Sequence, residues 1–167
     1  VVFLEFLDRI CPSFDLALSR ALEKSLTAQG LVFHLSHKVL KADALRLTAE
    51  GPSGEATFDG DAILVCVGRR PYTKNLGLDA AGVKTDAKGF VAIDANFRTS
   101  QPHIFAVGDV VEGPMLAHKA SEEGVAVAEF IAGHRSEVDY LSIPSVAYTY
   151  PEVAAAGLTQ EEATARG

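Results

Sequence analysis

The stretch Ile104-Phe105-Ala106-Val107-Gly108-Asp109-Val110-Val111-Glu112-Gly113-Pro114-Met115-Leu116-Ala117-His118-Lys119-Ala120 decides how this chain is read. A short apolar run leads into Gly108 and a carboxylate, and a Gly113-Pro114 turn follows. The next apolar residues open a helix expected to run from Leu116 to about Ile131, with Gly133 as its stop. This order predicts a strand ending on an acceptor, beside a helix whose first amides lack intrahelical partners. Those amides and the helix dipole both favour an anion, so the pair suits a polar ligand with hydroxyls to anchor and negative charge to stabilise. On the residues alone Asp109 has two readings, a ligand acceptor or an ordinary Asx turn, and His118 is equally a first-turn histidine bonded to a neighbour.

Working outward, Val1 to Phe6 is apolar except for Glu5, as expected of a parallel strand with its acid near the C-terminal end. From Ser13 or Asp15 to about Gln29, Leu18, Leu22 and Leu26 recur every fourth residue and Gly30 follows, which predicts an amphipathic helix. Leu31-Val32-Phe33 then completes a βαβ unit. Lys38 to Glu50 alternates loosely, and Gly51-Pro52-Ser53-Gly54 separates it from Glu55 to Phe58, which predicts an antiparallel hairpin. Asp61 to Gly68 reads as another strand, and Arg69-Arg70-Pro71 opens a polar, loop-rich connection with a strand at Phe90 to Ile93. Ile143 to Tyr150 alternates as a strand, and Thr159-Gln160-Glu161-Glu162 is a capping box for a final helix.

With 167 residues, 48% of them hydrophobic, the chain can bury a core and matches one domain or two small ones. A formal net charge of −7 argues against nucleic acid, whose phosphates need clustered Lys and Arg. No apolar run approaches the ~20 residues needed to span a bilayer, and no secretory signal pattern is seen. A cytoplasmic protein is expected, or one of the mitochondrial matrix in a eukaryote. Cys11 and Cys66 lie in unlike contexts and form no redox motif, and Cys66, inside Ile-Leu-Val-Cys-Val, is expected to be a buried apolar residue. His34 and His37 are expected on opposite faces of a strand, so no metal site is read there. No serine lies in a nucleophile elbow, and hydrolase chemistry has no support.

Glu5 has two readings as well. It is a solvated strand-end residue, or the acid that accepts hydrogen bonds from an adenosine ribose diol and repels a 2′-phosphate, which favours NAD over NADP. The glycine-rich turn that should precede such an acid is not in the sequence.

Phe-Ala-Val-Gly-Asp-Val (105–110), followed by Gly-Pro-Met-Leu-Ala-His-Lys-Ala (113–120) and later Glu-Gly (123–124), closely resembles the second FAD-binding motif of dihydrolipoamide dehydrogenases, within the flavin-dependent disulfide oxidoreductases. Val2 to Ile10 resembles their strand after the NAD glycines, Cys66 to Leu78 their crossing from the NAD to the FAD domain, and Ile143 to Ala154 their entry to the dimer-interface domain. The Ala-His-Lys-Ala version favours the lipoamide branch over glutathione and mercuric reductases. The resemblance covers essentially the whole chain.

It implies an α/β fold: a partial Rossmann-like NAD domain over residues 1–67, the returning half of an FAD-binding domain over 68–142, and the start of an α+β dimerisation domain over 143–167. Glu5 would hold the NAD ribose, Val39 would meet the adenine and Gly68 would lie beside the NAD. Asp109 would bond a ribityl hydroxyl of FAD, and Met115, Leu116, Ala117 and His118 would present amides to the flavin's pyrimidine edge. There the helix dipole would stabilise the charge gained on reduction and raise the potential. The implied parent reoxidises dihydrolipoyl groups of 2-oxo acid dehydrogenase complexes, passing electrons through FAD to NAD, as a homodimer that meets a lipoyl domain. The family's Cys-x4-Cys disulfide and C-terminal His-Glu base are not in this sequence, so none of these residues is catalytic. The isolated chain is expected to be inactive and to bind FAD weakly or not at all, with the native protein continuing on both sides. The competing readings are a short non-enzymatic nucleotide-binding or interaction module, and a flavoenzyme acting on another disulfide, a peroxide or a quinone.

Overall fold

The computed structural model describes residues 1–167, which divide into two compact units, Val1–Val65 with Pro144–Gly167, and Cys66–Ile143.

The first unit opens with the expected βαβ arrangement of β1 (Val2–Leu4), α1 (Leu16–Ala28) and β2 (Val32–His34). β1 and β2 pair in parallel, Val2 opposite Val32 and Leu4 opposite His34, and the Phe3 and Phe33 rings stack at 4.9 Å. Helix α1 buries Ser19, Leu22 and Leu26, three and four residues apart and therefore on one face. Ser19 can be buried there because its hydroxyl donates to the Cys11 carbonyl at 3.0 Å. Asp15, the residue before α1, does not cap that helix with its side chain. Its carboxylate accepts the Gln160 N–H of α4 (Gln160–Arg166) at 2.6 Å, while Glu161 of α4 accepts the Leu16 N–H of α1 at 3.1 Å. Each helix thus caps the other's exposed amides. The capping box expected at Thr159 is present, with Thr159 Oγ1 accepting from Glu162 N and Glu162 accepting from Thr159 N.

Two expectations in this unit need correction. Lys38 to Glu50 is not one strand of a hairpin but two, β3 (Lys38–Asp43) and β4 (Arg46–Gly51), which with β5 (Gly54–Asp59) make an antiparallel three-stranded sheet. The chain turns at Ala44 with φ 51°, a conformation that alanine does not advertise in sequence. His34 and His37 do not face apart either. β2 ends at His34, Ser36 takes φ 54°, and the two rings come within 5.3 Å, each packed edge-on against Phe58. A Cβ at Gly51 would run into the His37 ring, so glycine there makes room for it. The C-terminal part adds a hairpin, β6 (Ser145–Ala147) with β7 (Val153–Ala155).

The second unit contains the short helix α2 (Leu78–Ala81), a 3-10 turn at Gly108–Val110, the long helix α3 (Ala117–Ile131) and a 3-10 turn at Tyr140–Ser142. Its core gathers Val83, Val91, Phe97, Val111 and Ala126. The strands expected at Phe90–Ile93 and Ile104–Val107 are reduced to single bridges, Thr85 with Val91 and Arg98 with Phe105. The strand expected over Asp61–Gly68 pairs with nothing in this chain. Leu64 and Val67 are 87% and 92% exposed, and Cys66 is exposed rather than buried. Its apolar pattern describes a strand interior, which needs a neighbour on each side before its side chains are covered. No helix is long and apolar enough to cross a membrane.

Candidate functional site

The second unit builds a buried polar site around Gly108. The chain arrives extended at Val107, and Gly108 then takes φ 77°, a left-handed conformation available to glycine with little penalty. A Cβ at Gly108 would also press on Ala120 of α3 at 3.2 Å. The turn that follows leaves Asp109 exposed. Beyond it, Val110 accepts the Val91 N–H at 2.8 Å and Val111 is fully buried, so the turn is anchored on its far side.

On the near side the anchor is a charged pair. Lys119 and Glu123, one helical turn apart on α3, have completely buried side chains 3.1 Å apart. Glu123 Oε2 accepts the Gly108 N–H at 2.7 Å, and Lys119 Nζ donates to the Gly108 carbonyl at 3.1 Å. Glu123 Oε1 also accepts the Tyr140 hydroxyl at 2.9 Å. No buried side-chain nitrogen or oxygen is left without a partner. Neither Lys119 nor Glu123 stands out as a site residue in the sequence. The usable signal was that their spacing continues to the apolar Ala126, which puts both charges on the buried face of α3.

Helix α3 begins after Leu116, whose side chain offers no acceptor to the first-turn amides, and the Leu116 N–H itself donates to the Pro114 carbonyl at 3.0 Å. Met115 and Leu116 are half-buried, and Ala117 and His118 exposed. The Met115 carbonyl accepts from the Arg69 guanidinium. Arg69, Gly68 and Cys66 line an open pocket of about 540 Å³ with Phe90, Gly113 and Met115, so Gly68 lies with the Met115 end of the stretch. Gly113, at φ 131°, lets the chain pass close over Lys119: a Cβ there would sit 3.3 Å from Lys119 Cε.

The remaining candidates, Glu5 and Val39, belong to the first unit. Glu5 follows β1 and is half-buried, and its Oε1 accepts the Leu7 N–H at 2.8 Å. Val39 lies on β3, 44% exposed, opposite Ala49. Burial raises the pKa of the Cys11 thiol, which disfavours the reactive thiolate. No three His, Cys, Asp or Glu side chains are grouped as metal ligands would be.

A carboxylate at the end of an apolar run, a buried clamp behind it and a helix start beside it place an exposed acceptor on a fixed turn next to helix N-terminal backbone. Residues 1–124 match the pyridine nucleotide-disulphide oxidoreductase family, and the chain belongs to that family. Along its whole length it is 45% identical to dihydrolipoyl dehydrogenase 3 of Pseudomonas putida and 40% identical to the mitochondrial dihydrolipoyl dehydrogenase of Pisum sativum. It spans 37% and 34% of those two proteins. Its fold matches the HOCl-induced flavoprotein disulfide reductase RclA of Escherichia coli with a TM-score of 0.86 at 24% identity, over all of this chain and 39% of that one.

Proposed function

We propose that this chain is a segment of an NAD-dependent, FAD-containing dihydrolipoamide dehydrogenase, an enzyme that reoxidises dihydrolipoyl groups of 2-oxo acid dehydrogenase complexes. The observation that carries the reading is the Gly108–Asp109 turn, an exposed carboxylate on a clamped backbone beside the start of α3, where the Leu116 side chain offers no cap. That donor and acceptor set fits FAD, which brings both hydroxyls for an acceptor and an edge that becomes anionic. Identity to dihydrolipoyl dehydrogenases along the entire chain supports this reading over a short binding module.

In this reading Asp109 accepts a hydrogen bond from a ribityl hydroxyl. The Met115–His118 stretch faces the flavin, with the Leu116 N–H engaged by Pro114 and so not among the donors, and the positive end of the α3 dipole stabilises its reduced form. Glu5 and Val39 hold the adenosine part of NAD, and Gly68 lets the backbone approach the same cofactor. Bound FAD would accept the electron pair of the dithiol and deliver it to NAD. The division into 1–67, 68–142 and 143–167 as NAD, FAD and dimerisation parts belongs to the same proposal. So do a homodimeric enzyme, a lipoyl domain as its protein partner, and a cytoplasmic or mitochondrial-matrix location.

The full-length protein carrying this sequence should purify with bound FAD and oxidise dihydrolipoamide with NAD. Asp109→Ala should weaken FAD binding about tenfold, the loss of one charge-assisted hydrogen bond at ~1.5 kcal/mol. Absence of flavin from the purified protein, or activity confined to a peroxide or a quinone, would overturn the assignment. The isolated 167 residues should bind FAD weakly or not at all, and a stoichiometric yellow complex would count against the segment reading.

A further inference from the structure

We infer that the buried Lys119–Glu123 pair, with Tyr140, is a positioning device that sets Asp109 for its ligand by clamping both peptide planes of Gly108. The inference rests on the reading of Asp109 as an FAD acceptor. It adds three residues that lie outside the proposed contacts to the cofactor.

The argument starts from the softness of glycine. Gly108 has no Cβ to restrict it, and it is the joint between the extended run and the turn that carries Asp109. A peptide unit is rigid, so the Gly108 carbonyl and the Asp109 Cα move as one plane. Lys119 Nζ grips that carbonyl at 3.1 Å, and the Val111 N–H donates to it at 3.2 Å. Glu123 Oε2 grips the Gly108 N–H, which belongs to the preceding plane, at 2.7 Å. With both planes held, the rotations of Gly108 are fixed, and the Asp109 side chain starts from one Cα position. Tyr140, donating to Glu123 Oε1 at 2.9 Å, fixes the carboxylate that does the holding.

A bare need to satisfy buried polar atoms does not explain the arrangement. A buried ion pair is on average no more stabilising than apolar residues of similar volume, and its best-attested use is to specify one geometry. Here both charges converge on a single flexible residue adjoining the proposed ligand acceptor. Lys119 is also covered by Gly113, so the loop leading to Met115 closes over the same pair.

The test is a double-mutant cycle in the full-length holoprotein, combining Asp109→Ala with Glu123→Gln. FAD dissociation constants come from flavin fluorescence and flavin midpoint potentials from spectroelectrochemistry. Each single change should weaken FAD about tenfold, and the double variant should lose far less than the ~100-fold product, because without the clamp Asp109 is no longer held in place. Glu123→Gln should also shift the flavin potential more in the native than in the Asp109→Ala background, which the loss of a charge alone would not do. If Glu123→Gln does not accumulate as folded protein, Tyr140→Phe keeps the pair and loosens its carboxylate. It should weaken FAD ~2–3-fold in the native background and leave the Asp109→Ala background unchanged. Additive losses, or the same potential shift in both backgrounds, would overturn the positioning role and leave the FAD reading standing. Asp109→Ala with native FAD affinity would overturn the FAD reading itself.

Discussion

Glu5 and Asp109 each follow a short apolar run, and each is read as the acceptor of a sugar-like hydroxyl, but the chain fixes them by different means. Glu5 sits at the end of a regular parallel pair. Its N–H donates to the His34 carbonyl at 3.0 Å, its carbonyl accepts the His37 N–H at 2.8 Å, and its carboxylate is steadied by the Leu7 N–H two residues on. Asp109 lies on a 3-10 turn beyond any ladder, after a left-handed glycine, and is held through Lys119 and Glu123, 11 and 15 residues from Gly108. A carboxylate on a ladder inherits its position from the backbone. One on a turn must be held by side chains from elsewhere, and in this chain those side chains are charged and buried.

The largest expected effect tests that contrast directly. Lys119→Met leaves the Glu123 carboxylate buried without its counter-ion, a situation that typically costs ~3–5 kcal/mol. Denaturant unfolding of the full-length protein should show a loss of that size. Combining Lys119→Met with Glu123→Leu removes both charges and should recover part of it, because an apolar pair has no desolvation penalty to offset. A single-variant loss below about 1 kcal/mol, the range of exposed pairs, would remove the contrast between the two carboxylates.

Removing the locally held carboxylate should leave the fold nearly untouched and change only ligand choice. Glu5→Ala eliminates a half-exposed side chain whose structural bond reaches the Leu7 N–H, so thermal stability should change little. NAD affinity should fall about tenfold or more, corresponding to ~1.5–3 kcal/mol for hydrogen bonds to a charged group, with FAD affinity unchanged. Equal losses of both cofactors would take Glu5 out of an NAD site and make its role resemble that of Asp109.

The same contrast explains how much could be read without coordinates. The βαβ unit, α3 and the capping box at Thr159 were legible because their signals are local: the spacing of Leu22 and Leu26, the stop at Gly133, the Thr159 to Glu162 pair. The strand pattern at Ile63 to Val67 was legible but misleading. Hydrophobicity reports what a segment needs covered, and no other strand of this chain pairs with it. The turn at Ala44 gave no signal, since it has neither Gly nor Asn. His34 and His37 escape the strand period because a left-handed Ser36 ends it between them. The Asp109 turn was legible as a motif, whereas its clamp was not. Lys119 and Glu123 look like an ordinary exposed i,i+4 pair until the helix is rotated so that Ala126 faces inward.

The smallest expected effect comes from the outer edge of the clamp. Partial burial, and then the hydrogen bond and charge of Glu123, push the Tyr140 hydroxyl up to about 12 from its ordinary value near 10. Folding therefore favours the protonated phenol. That contribution is fully present below pH ~10, where the unfolded chain also keeps the proton, and is lost as pH rises from ~10 through about 12. Because Tyr140 is 48% exposed, solvent screens the Glu123 charge and the change should be slight beside the loss from Lys119→Met. Denaturant unfolding of the native protein between pH 9 and 12 should show stability falling across that interval, and Tyr140→Phe should flatten the part due to this phenol. An identical slope in both proteins would mean that Tyr140 does not sense Glu123, and the clamp would then end at the buried pair.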